Sequence, residues 1–400
     1  LMSGINMYAM AVVFRVFLGW SIHFSILVSA GVVLAYTYLG GLTSSIYNEV
    51  LQFFLIVLGF APLTILGLRH LGGWQGLVER LEPGMVSSWR VLADSSSNAM
   101  GVNWFAMVMG LGFVLSFGYW CTDFLVVQRA MAARDMTAAQ MTPVIAAFPK
   151  AIFPFLIILP GMIAIALMPS LAQRYDYALP RMLQQFYPSG LLGLGITALL
   201  ASFMSGMAGN VTAFNTVFTY DIYQSYIRPN RPDRHYLAVG HWVTVLGTLM
   251  SIGTAYVVLR FNNLMDYMQL LFSFFNAPLF ATFLLGMFWK RATAIGAFWG
   301  LVSGILAAGG HHLLNTLGVL HYRSDMAANF YGAIYAWTTC FLVTILLSLV
   351  TPAPAEADLR GLVYAIADKP PSVHLPWYGR PLTWGIVVLA FVTWLNIRFW

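Results

Sequence analysis

The chain has 400 residues, 60% of them hydrophobic and only 8% charged, and its formal net charge at pH 7 is +6. Soluble domains carry about 25% charged residues, so this composition excludes a water-exposed globular surface and makes lipid the main solvent. Because a helix satisfies its own backbone polar groups in hydrocarbon, each apolar run of about 20 residues predicts a spanning helix. Arg and Lys beside membrane helices explain the positive charge, and no feature of the sequence indicates a nucleic-acid partner.

The apolar runs predict an all-α, polytopic transmembrane helical bundle with about eleven spans. In chain order they are residues 1–18, 22–41, 45–68, 103–128, 143–169, 188–227, 236–258, 264–289, 293–315, 328–350 and 380–399. The sixth run is too long for one straight crossing, so we expect its Gly-rich start at the membrane interface and its end in water. The first run lacks the polar flank that normally anchors a span, so we expect the natural protein to begin before Leu1.

Basic residues in the loops predict the orientation. If the first run leads outward, the loops around Arg129, Arg228, Lys290 and Arg360 share one side, which holds ten Arg and Lys residues against eight on the other. Cytoplasmic loops carry the excess of these residues, so the ten-residue side is predicted to be cytoplasmic. The expected location is the cell membrane, plasma or inner, as a multi-pass protein.

Two spans contain residues that interrupt helices. These are Gly110, Gly112 and Gly118 in the run 103–128, and the segment 276–278, Asn-Ala-Pro, in the run 264–289. Interrupted helices of transporters expose backbone groups that bind ions and substrates near the bilayer midplane. Gly and Pro also serve close packing or simple kinks in membrane helices, and the sequence leaves both interpretations open.

Of the charged side chains inside predicted spans, Lys150 and Glu49 are the main candidates for function, because an ionisable group is costly in lipid. Lys150 lies within the first two turns of its run, where it either hydrogen-bonds a substrate or extends to the lipid headgroups. Glu49 lies near the start of its run. It either assists a cation at a cytoplasmic exit, or titrates, or is an interfacial carboxylate stabilised by the helix macrodipole.

A small, polar segment lies inside the run 188–227. Ser202 and Ser205 are three residues apart and share a helix face, with Gly206 next in the chain. Serine hydroxyls and backbone carbonyls supply oxygen ligands for Na⁺ without added charge, although the same residues also suit a seam of tight helix packing. The sequence contains no catalytic constellation, zinc-ligand spacing or phosphate loop, so an enzyme is not expected.

Five segments together resemble the sodium/solute symporter family, the relatives of the sodium–glucose cotransporters. They are residues 36–44, 119–123 with 127–130, 215–223, 286–291 with 296–297 and 300–304, and 359–364. They follow the family's order along the chain, and five motifs in register are far more specific than one.

The resemblance implies a leucine-transporter-type fold of two inverted five-helix repeats with flanking helices, working by alternating access. The chain would be a single transmembrane transporter domain, 1–400. Residues 1–68 would be the rest of the first inverted repeat, 103–289 the second repeat, and 290–400 additional C-terminal helices. The first core helices would be missing, and the run 103–128 would be the broken first helix of the second repeat.

The resemblance also implies substrate-binding roles for five residues. Lys150 matches a lysine that contacts sugar hydroxyls, and Tyr119 matches an aromatic gate that stacks on the sugar, with Trp120 beside it. Ser116 falls where sugar transporters have an asparagine. Gln269 matches a substrate-contacting glutamine.

For the ion, the resemblance places a carbonyl ligand at Ser202 and the family's paired serines at Ser205 and Gly206. Because Gly206 supplies no hydroxyl, either Ser202 offers a replacement or the ion is a proton with Glu49 titrating. Glu49 falls where relatives have an aspartate on the sodium exit route. The expected metal is therefore Na⁺ at Ser202 and Ser205, as the coupling ion, and no other cofactor is expected.

The expected function is cation-coupled symport, with Na⁺ favoured, of a small polar organic solute that is sugar-like. The alternatives are a proton-coupled transporter and a transport-inactive membrane relative. Lys150 and Glu49 are isolated in the sequence, whereas proton pumps show chains of embedded titratable groups, which favours Na⁺. The expected partners are the solute and the lipid bilayer, and the sequence defines no oligomeric state.

Overall fold

The computed structural model describes residues 1–400 except 88, 99, 171–174, 262–263 and 368–375, and it describes only the backbone of 39–44 and 97. Most of the predicted motif at 36–44 therefore lies outside the described side chains. The main helices are α1 (Met2–Leu18), α2 (Ile22–Leu71), α3 (Trp104–Met131), α4 (Met136–Leu167), α5 (Ala178–Phe186), α6 (Ser189–Ile227), α7 (Asp233–Val258), α8 (Leu264–Phe288), α9 (Ala294–Thr316), α10 (Asp325–Val350) and α11 (Pro381–Arg398). Short helices cover Gly73–Val78 and Glu356–Leu359.

The predicted membrane spans are confirmed from the run 45–68 onward. Among the described residues, nine helices are long and apolar enough to cross a membrane. A further candidate is the pair Met2–Leu18 and Ile22–Tyr38, which bends by 119°. The eleven predicted runs therefore correspond to ten candidate spans at most. The bend follows Gly19, whose left-handed backbone (φ 70°) ends α1, and Ser21 then caps α2.

One compact unit contains Leu1–Glu82 and Pro149–Tyr267. At its centre α1, α2, α6 and α7 each contact the other three. The buried core that they share consists of Met7, Met10, Ala11, Ile26, Ala30, Val33, Met207, Val211 and Ala255. Glycines bring the backbones together, since a Cβ added at Gly4 would lie 2.8 Å from the backbone nitrogen of Ala255. Such small-residue contacts are typical of helices packed in membranes.

The second helix, α2, bends between Tyr36 and Gly59. The Tyr36 hydroxyl donates to the Met204 carbonyl at 2.7 Å, and Gly59 packs directly on Ala198 of the same helix, α6. These two α6 positions are about 9 Å apart, whereas a straight α2 would separate Tyr36 from Gly59 by about 35 Å. A straight helix cannot make both contacts, so α2 bends in the region where the sequence predicts a turn between two spans.

The other compact unit contains Pro83–Phe148 and Met268–Trp400. Its α9 and α10 pack through two stripes of small residues that recur at every fourth position. The stripes are Gly296, Gly300 and Gly304 on α9, and Ala336, Cys340, Thr344 and Ser348 on α10. A Cβ added at Gly300 would lie 2.9 Å from the Cys340 carbonyl oxygen. The glycines of the motif at 296–304 therefore allow two backbones to approach closely.

Asp176 ties the loop before α5 to the start of α8. Its carboxylate accepts a hydrogen bond from the Leu264 backbone N–H at 3.3 Å. Burial raises the pKa of Asp176 and the charge of Asp266 adds to this, while the bond from Leu264 acts in the opposite direction. The pKa of Asp176 is thus higher in the folded protein than in the unfolded chain. The stability that this carboxyl group contributes is fully present when the pH is below its pKa in the unfolded chain. It is lost as the pH rises through the folded pKa.

We therefore expect Asp176→Asn to raise the thermal unfolding midpoint at neutral pH, because the amide oxygen still accepts from Leu264 without an ion to desolvate. The gain over the natural protein should vanish at acidic pH, where Asp176 itself is protonated. Unfolding in detergent across a pH series measures both effects.

The matched control is Asp135→Asn. Hydrogen bonds from the Ala138 backbone N–H and from Arg134 lower the pKa of Asp135. The charged form is therefore favoured in the folded state, and this variant should lower the midpoint at neutral pH. A gain for Asp176→Asn of equal size at every pH would contradict the assigned cause.

Candidate functional site

The predicted site residues fall in both compact units. The unit Leu1–Glu82 with Pro149–Tyr267 contains Glu49, Lys150, Ser202, Ser205 and Gly206. The unit Pro83–Phe148 with Met268–Trp400 contains Ser116, Tyr119, Trp120 and Gln269. The ion-binding candidates thus share one unit, and four of the five substrate-binding candidates share the other.

The α6 segment around Ser202 carries two hydroxyl groups with no hydrogen bond to the described residues. Within the described part of the chain, the Ser202 and Ser205 hydroxyls make no hydrogen bond. By contrast, Ser29 and Thr37 each donate to the carbonyl four residues earlier, at 2.7 Å. Ser202 and Ser205 are both half-buried, and their part in binding a cation stays a prediction.

The side chain of Asn6, on α1, fills the space that Gly206 leaves open. A Cβ on Gly206 would lie 2.7 Å from the Asn6 Nδ2 and 3.1 Å from its Oδ1. Ser202 lies one turn before Gly206 on the same face of α6. A carboxamide oxygen from α1 thus stands beside the position where the resemblance places a second serine hydroxyl.

Sequence reasoning missed Asn6 because its contact with Gly206 joins helices 200 residues apart. Hydrogen bonds within each helix fix both partners of this contact. The Asn6 Nδ2 donates to the Met2 carbonyl at 3.5 Å, and the Asn210 Nδ2 donates to the Gly206 carbonyl at 2.7 Å. The only sequence signal was a polar side chain inside the apolar run 1–18, where uncompensated burial is costly.

Glu49 lies inside α2 and not near a helix N-terminus as predicted. The helix α2 begins at Ile22, and the macrodipole acts only within the first turn of a helix. The interpretation that it stabilises Glu49 is therefore wrong. Instead, the Ser45 hydroxyl donates to the Glu49 carboxylate at 3.1 Å, one turn earlier on the same helix. Glu49 is half-buried, and its part in the release of a cation stays a prediction.

Lys150 lies near the middle of α4 and not within its first two turns as predicted. The helix begins at Met136, seven residues before the expected start, so about 21 Å separates Lys150 from that end. A lysine side chain is far shorter than this distance and cannot reach the beginning of its helix. Lys150 is exposed on the surface of α4, and its contact with a substrate stays a prediction.

The predicted break in α3 is confirmed at Gly110. This residue has φ −93° and ψ −130°, and it lies in the first of two π-helical turns, Val108–Gly112 and Val114–Tyr119. The indole N–H of Trp337 donates to the Met109 carbonyl at 2.9 Å and so satisfies a backbone group at the break. π-Helical turns inside α-helices are frequent at functional sites.

A second interruption of α3 follows Tyr119 and Trp120. Asp123 has an extended backbone (φ −73°, ψ 116°), and its carboxylate accepts the Leu125 N–H at 2.9 Å as the N-cap of the last segment, Phe124–Met131. Tyr119 and Trp120 therefore lie on a short helical piece between two breaks.

The interruption predicted at 276–278 is a π-helical turn, Phe272–Asn276, that widens α8 without unwinding it. Asn276 keeps helical angles (φ −73°, ψ −33°), and Pro278 stands in the first turn of the following α-helical part, where its missing N–H is harmless. Among the described residues, the buried Asn276 Nδ2 has no hydrogen-bond partner.

Tyr119 packs edge-on against Phe272, with ring centroids 5.7 Å apart and an interplanar angle of 72°. Phe272 follows Gln269 by three residues on α8, so the structure brings Tyr119 to the turn of α8 that carries Gln269. Ser116 is exposed, one turn before the half-buried Tyr119 and Trp120. Aromatic faces with a few placed polar groups are the usual lining of a small-molecule site.

The described helices and their interruptions define a multi-pass helical membrane protein. The profile of the Sodium:solute symporter family matches residues 2–304. The chain belongs to this family, which confirms the resemblance drawn from the five motifs.

Several curated relatives are cotransporters. The sodium/mannose cotransporter of Bos taurus is 30% identical over 406 residues, covering 90% of this chain and 66% of that protein. The sodium/glucose cotransporter 2 of Rattus norvegicus is 30% identical over 342 residues (76% and 50%). The sodium/myo-inositol cotransporter of Homo sapiens is 27% identical over 404 residues (89% and 56%). The chain thus spans less than two thirds of the length of these relatives.

A solved structure shares the fold. The substrate-bound, outward-open state of a Na⁺-coupled sialic acid symporter superposes with a TM-score of 0.67 over 88% of this chain and 72% of that one, at 21% identity. This similarity confirms the leucine-transporter-type fold expected from the sequence.

Proposed function

We propose that the protein carries out Na⁺-coupled symport of a small polar organic solute, sugar-like in chemistry, by alternating access. The observation that carries this proposal is the contact of Asn6 on α1 with Gly206 on α6, in the segment that also contains Ser202 and Ser205; we call these groups the oxygen cluster. It combines two hydroxyls that make no hydrogen bond within the described residues, Ser202 and Ser205, with the Asn6 carboxamide beside Gly206. Family membership and the sugar and inositol cotransporters among the relatives support the same ion and solute class.

The chemistry of this cluster favours Na⁺ over a proton. Hydroxyl and carboxamide oxygens are neutral ligands of a hard cation, and none of Asn6, Ser202 and Ser205 titrates near neutral pH. A proton-coupled site needs an acid or base at the cluster itself. Glu49, held by Ser45, is then better suited to attract a cation leaving the cluster than to bind the coupling ion.

The proposed substrate contacts divide by chemistry. The Tyr119 and Trp120 rings suit stacking on the apolar face of a sugar ring. The Lys150 ammonium, the Gln269 amide and the Ser116 hydroxyl suit hydrogen bonds with its hydroxyls. The π-helical turns beside Tyr119 and after Gln269 are the places where these helices depart from regular geometry, which suits a change of shape during transport.

Uptake into proteoliposomes tests the proposal. The purified, reconstituted protein should accumulate radiolabelled glucose, mannose or myo-inositol under an inward Na⁺ gradient, and not under an inward K⁺ gradient of the same size. A proton gradient without Na⁺ is the third condition. Equal uptake with and without the Na⁺ gradient would refute the coupling, and uptake driven by protons alone would select the proton-coupled alternative.

We expect Lys150→Ala to raise the apparent KM for the solute roughly tenfold, because a hydrogen bond to a charged group contributes about 1.5–3 kcal/mol. Initial rates over a range of solute concentrations measure the effect. The matched control is Lys290→Ala. Lys290 is an exposed lysine in the loop between α8 and α9, and its Nζ lies 3.8 Å from the Glu356 Oε1. An unchanged KM in Lys150→Ala would mean that Lys150 extends to the lipid headgroups and does not contact the solute.

A further inference from the structure

We propose that the protein binds one anionic phospholipid at the junction of α6 and α7, with the headgroup phosphate in a basic cavity and an acyl chain in an apolar groove along α7. All the residues involved belong to the unit Leu1–Glu82 with Pro149–Tyr267. The inference does not depend on which solute is carried.

The cavity lies in the loop between α6 and α7 and has a volume of about 320 Å³. Its lining consists of Tyr223, Arg228, Arg231, Pro232 and His235. Among the described residues that line it there is no carboxylate, and Asp233 of the first turn of α7 is not part of the lining. Two guanidinium groups, an imidazole and a phenol together match the charge and the acceptor oxygens of a phosphate group.

The cavity is a built feature of the fold because one buried hydroxyl holds the backbone at both arginines. The Tyr236 hydroxyl donates to the Arg228 carbonyl at 2.7 Å and accepts from the Arg231 backbone N–H at 3.0 Å. Tyr236 is only 2% exposed. Between the two arginines, Asn230 has a left-handed backbone (φ 57°) that turns the loop back. The backbone of this loop is therefore fixed, and it brings two exposed arginine side chains to the same cavity.

The opposite wall of the cavity is fixed as well. The Tyr223 hydroxyl and the His235 Nε2 are hydrogen-bonded at 3.1 Å, and the Arg228 backbone N–H donates to the Tyr223 carbonyl at 2.8 Å. The end of α6 and the start of α7 are thus linked across the cavity.

An apolar groove begins further along α7. It has a volume of about 510 Å³ and is lined by Gly31, Leu34, Ala35, Tyr38, Trp242 and Val245. The ring of Tyr38, which is part of this lining, stacks on His241 with ring centroids 4.6 Å apart. The Trp242 side chain is 76% exposed, as expected for a tryptophan at the level of the lipid interface.

The cavity and the groove lie on one face of α7. His235 and Trp242 are seven residues apart, so they share a face and are separated by about 10 Å along the helix axis. The headgroup layer of a bilayer is about 5–7 Å deep. A phosphate beside His235 therefore places the first acyl carbons near Trp242, and this match identifies the ligand as a phospholipid and not free phosphate.

Native mass spectrometry of the purified protein tests the site, with phosphatidylglycerol and phosphatidylcholine of identical acyl chains as probes. The natural protein should retain phosphatidylglycerol preferentially. The double variant Arg228→Ala/Arg231→Ala should weaken that binding by about fivefold for each arginine. Arg234→Ala removes the same charge from the first turn of α7, outside the cavity lining, and it should bind phosphatidylglycerol as the natural protein does. If the alanine pair fails to fold, the Arg→Gln pair gives the same comparison.

A second variant separates the lipid from a free anion. Gly31 lines the groove, and a Cβ added there meets no atom within 4 Å, so Gly31→Phe places its ring from an open position into the groove. It should weaken phosphatidylglycerol binding while the basic cavity stays intact. The proposal is overturned by phosphatidylglycerol binding that is unchanged in the arginine pair or in Gly31→Phe. It is also overturned if inorganic phosphate binds the natural protein as tightly as the lipid does.

Discussion

Asn6→Ala is expected to lower the apparent Na⁺ affinity of transport by roughly tenfold or more. The substitution removes the carboxamide that lies against Gly206. We take its contact with the ion to be comparable to a hydrogen bond to a charged group, which contributes about 1.5–3 kcal/mol. The measurement is solute uptake as a function of Na⁺ concentration at fixed solute. Na⁺-induced stabilisation against heat gives an independent reading of binding, because a ligand of the folded state raises the unfolding midpoint by mass action.

The same contact predicts that substitutions at Asn6 and Gly206 are not additive. Gly206→Ser alone places a Cβ 2.7 Å from the Asn6 Nδ2, so the new side chain and the amide compete for one space. In Asn6→Ala/Gly206→Ser that space is free, and the serine hydroxyl supplies the missing oxygen. The double variant should therefore bind Na⁺ more tightly than either single variant, since residues in contact do not act additively.

Two serine variants complete this test. Ser205→Ala removes a hydroxyl that makes no hydrogen bond within the described residues, and it should weaken Na⁺ binding in the same direction as Asn6→Ala. Ser29→Ala removes a hydroxyl that already donates to the Ser25 carbonyl, and it should leave the Na⁺ dependence unchanged. Additive losses for Asn6 and Gly206, or equal effects of the two serine variants, would contradict the assigned cluster.

The sequence predicts the helices well because each apolar run of sufficient length has a helix as its only stable form in lipid. The sequence misplaces a helix end where the helix extends beyond the apolar run, because hydropathy marks the run and not the end of the helix. The start of α4 was expected at Pro143, where the apolar run begins, yet the helix starts at Met136. The missed signal is Asp135, whose carboxylate accepts the Ala138 N–H at 2.8 Å as a helix cap. That error moved Lys150 from the middle of its helix to its first two turns.

The site residues are less predictable because they depend on contacts between distant helices. Gly206 seemed to remove an ion ligand, and only the packing of α1 on α6 brings Asn6 to the same place. Glu49 seemed to lie at a helix start, and only the helical backbone from Ile22 onward shows that it does not. By contrast, the break at Gly110 was predictable, since glycine is the residue that tolerates such a backbone.

Gly300→Leu is expected to destabilise the protein by about 3 kcal/mol or more, at the upper end of the cost of overpacking. A Cβ at Gly300 would lie 2.9 Å from the Cys340 carbonyl oxygen, and a backbone atom of a packed helix cannot move aside as a side chain can. Gly300→Ala should show a smaller loss, and Thr344→Ala should recover part of that loss, because the Thr344 hydroxyl is the other atom that crowds this position. The thermal unfolding midpoint in detergent measures each variant.

The matched control is Gly310→Leu on the same helix, where an added Cβ meets no atom within 4 Å. Both substitutions make the same change in helix propensity and hydrophobicity, so the difference between them isolates the packing of α9 on α10. If Gly300→Leu unfolds at the same temperature as Gly310→Leu, the two stripes of small residues do not hold these helices together. The glycines of the motif at 296–304 would then need a role outside packing.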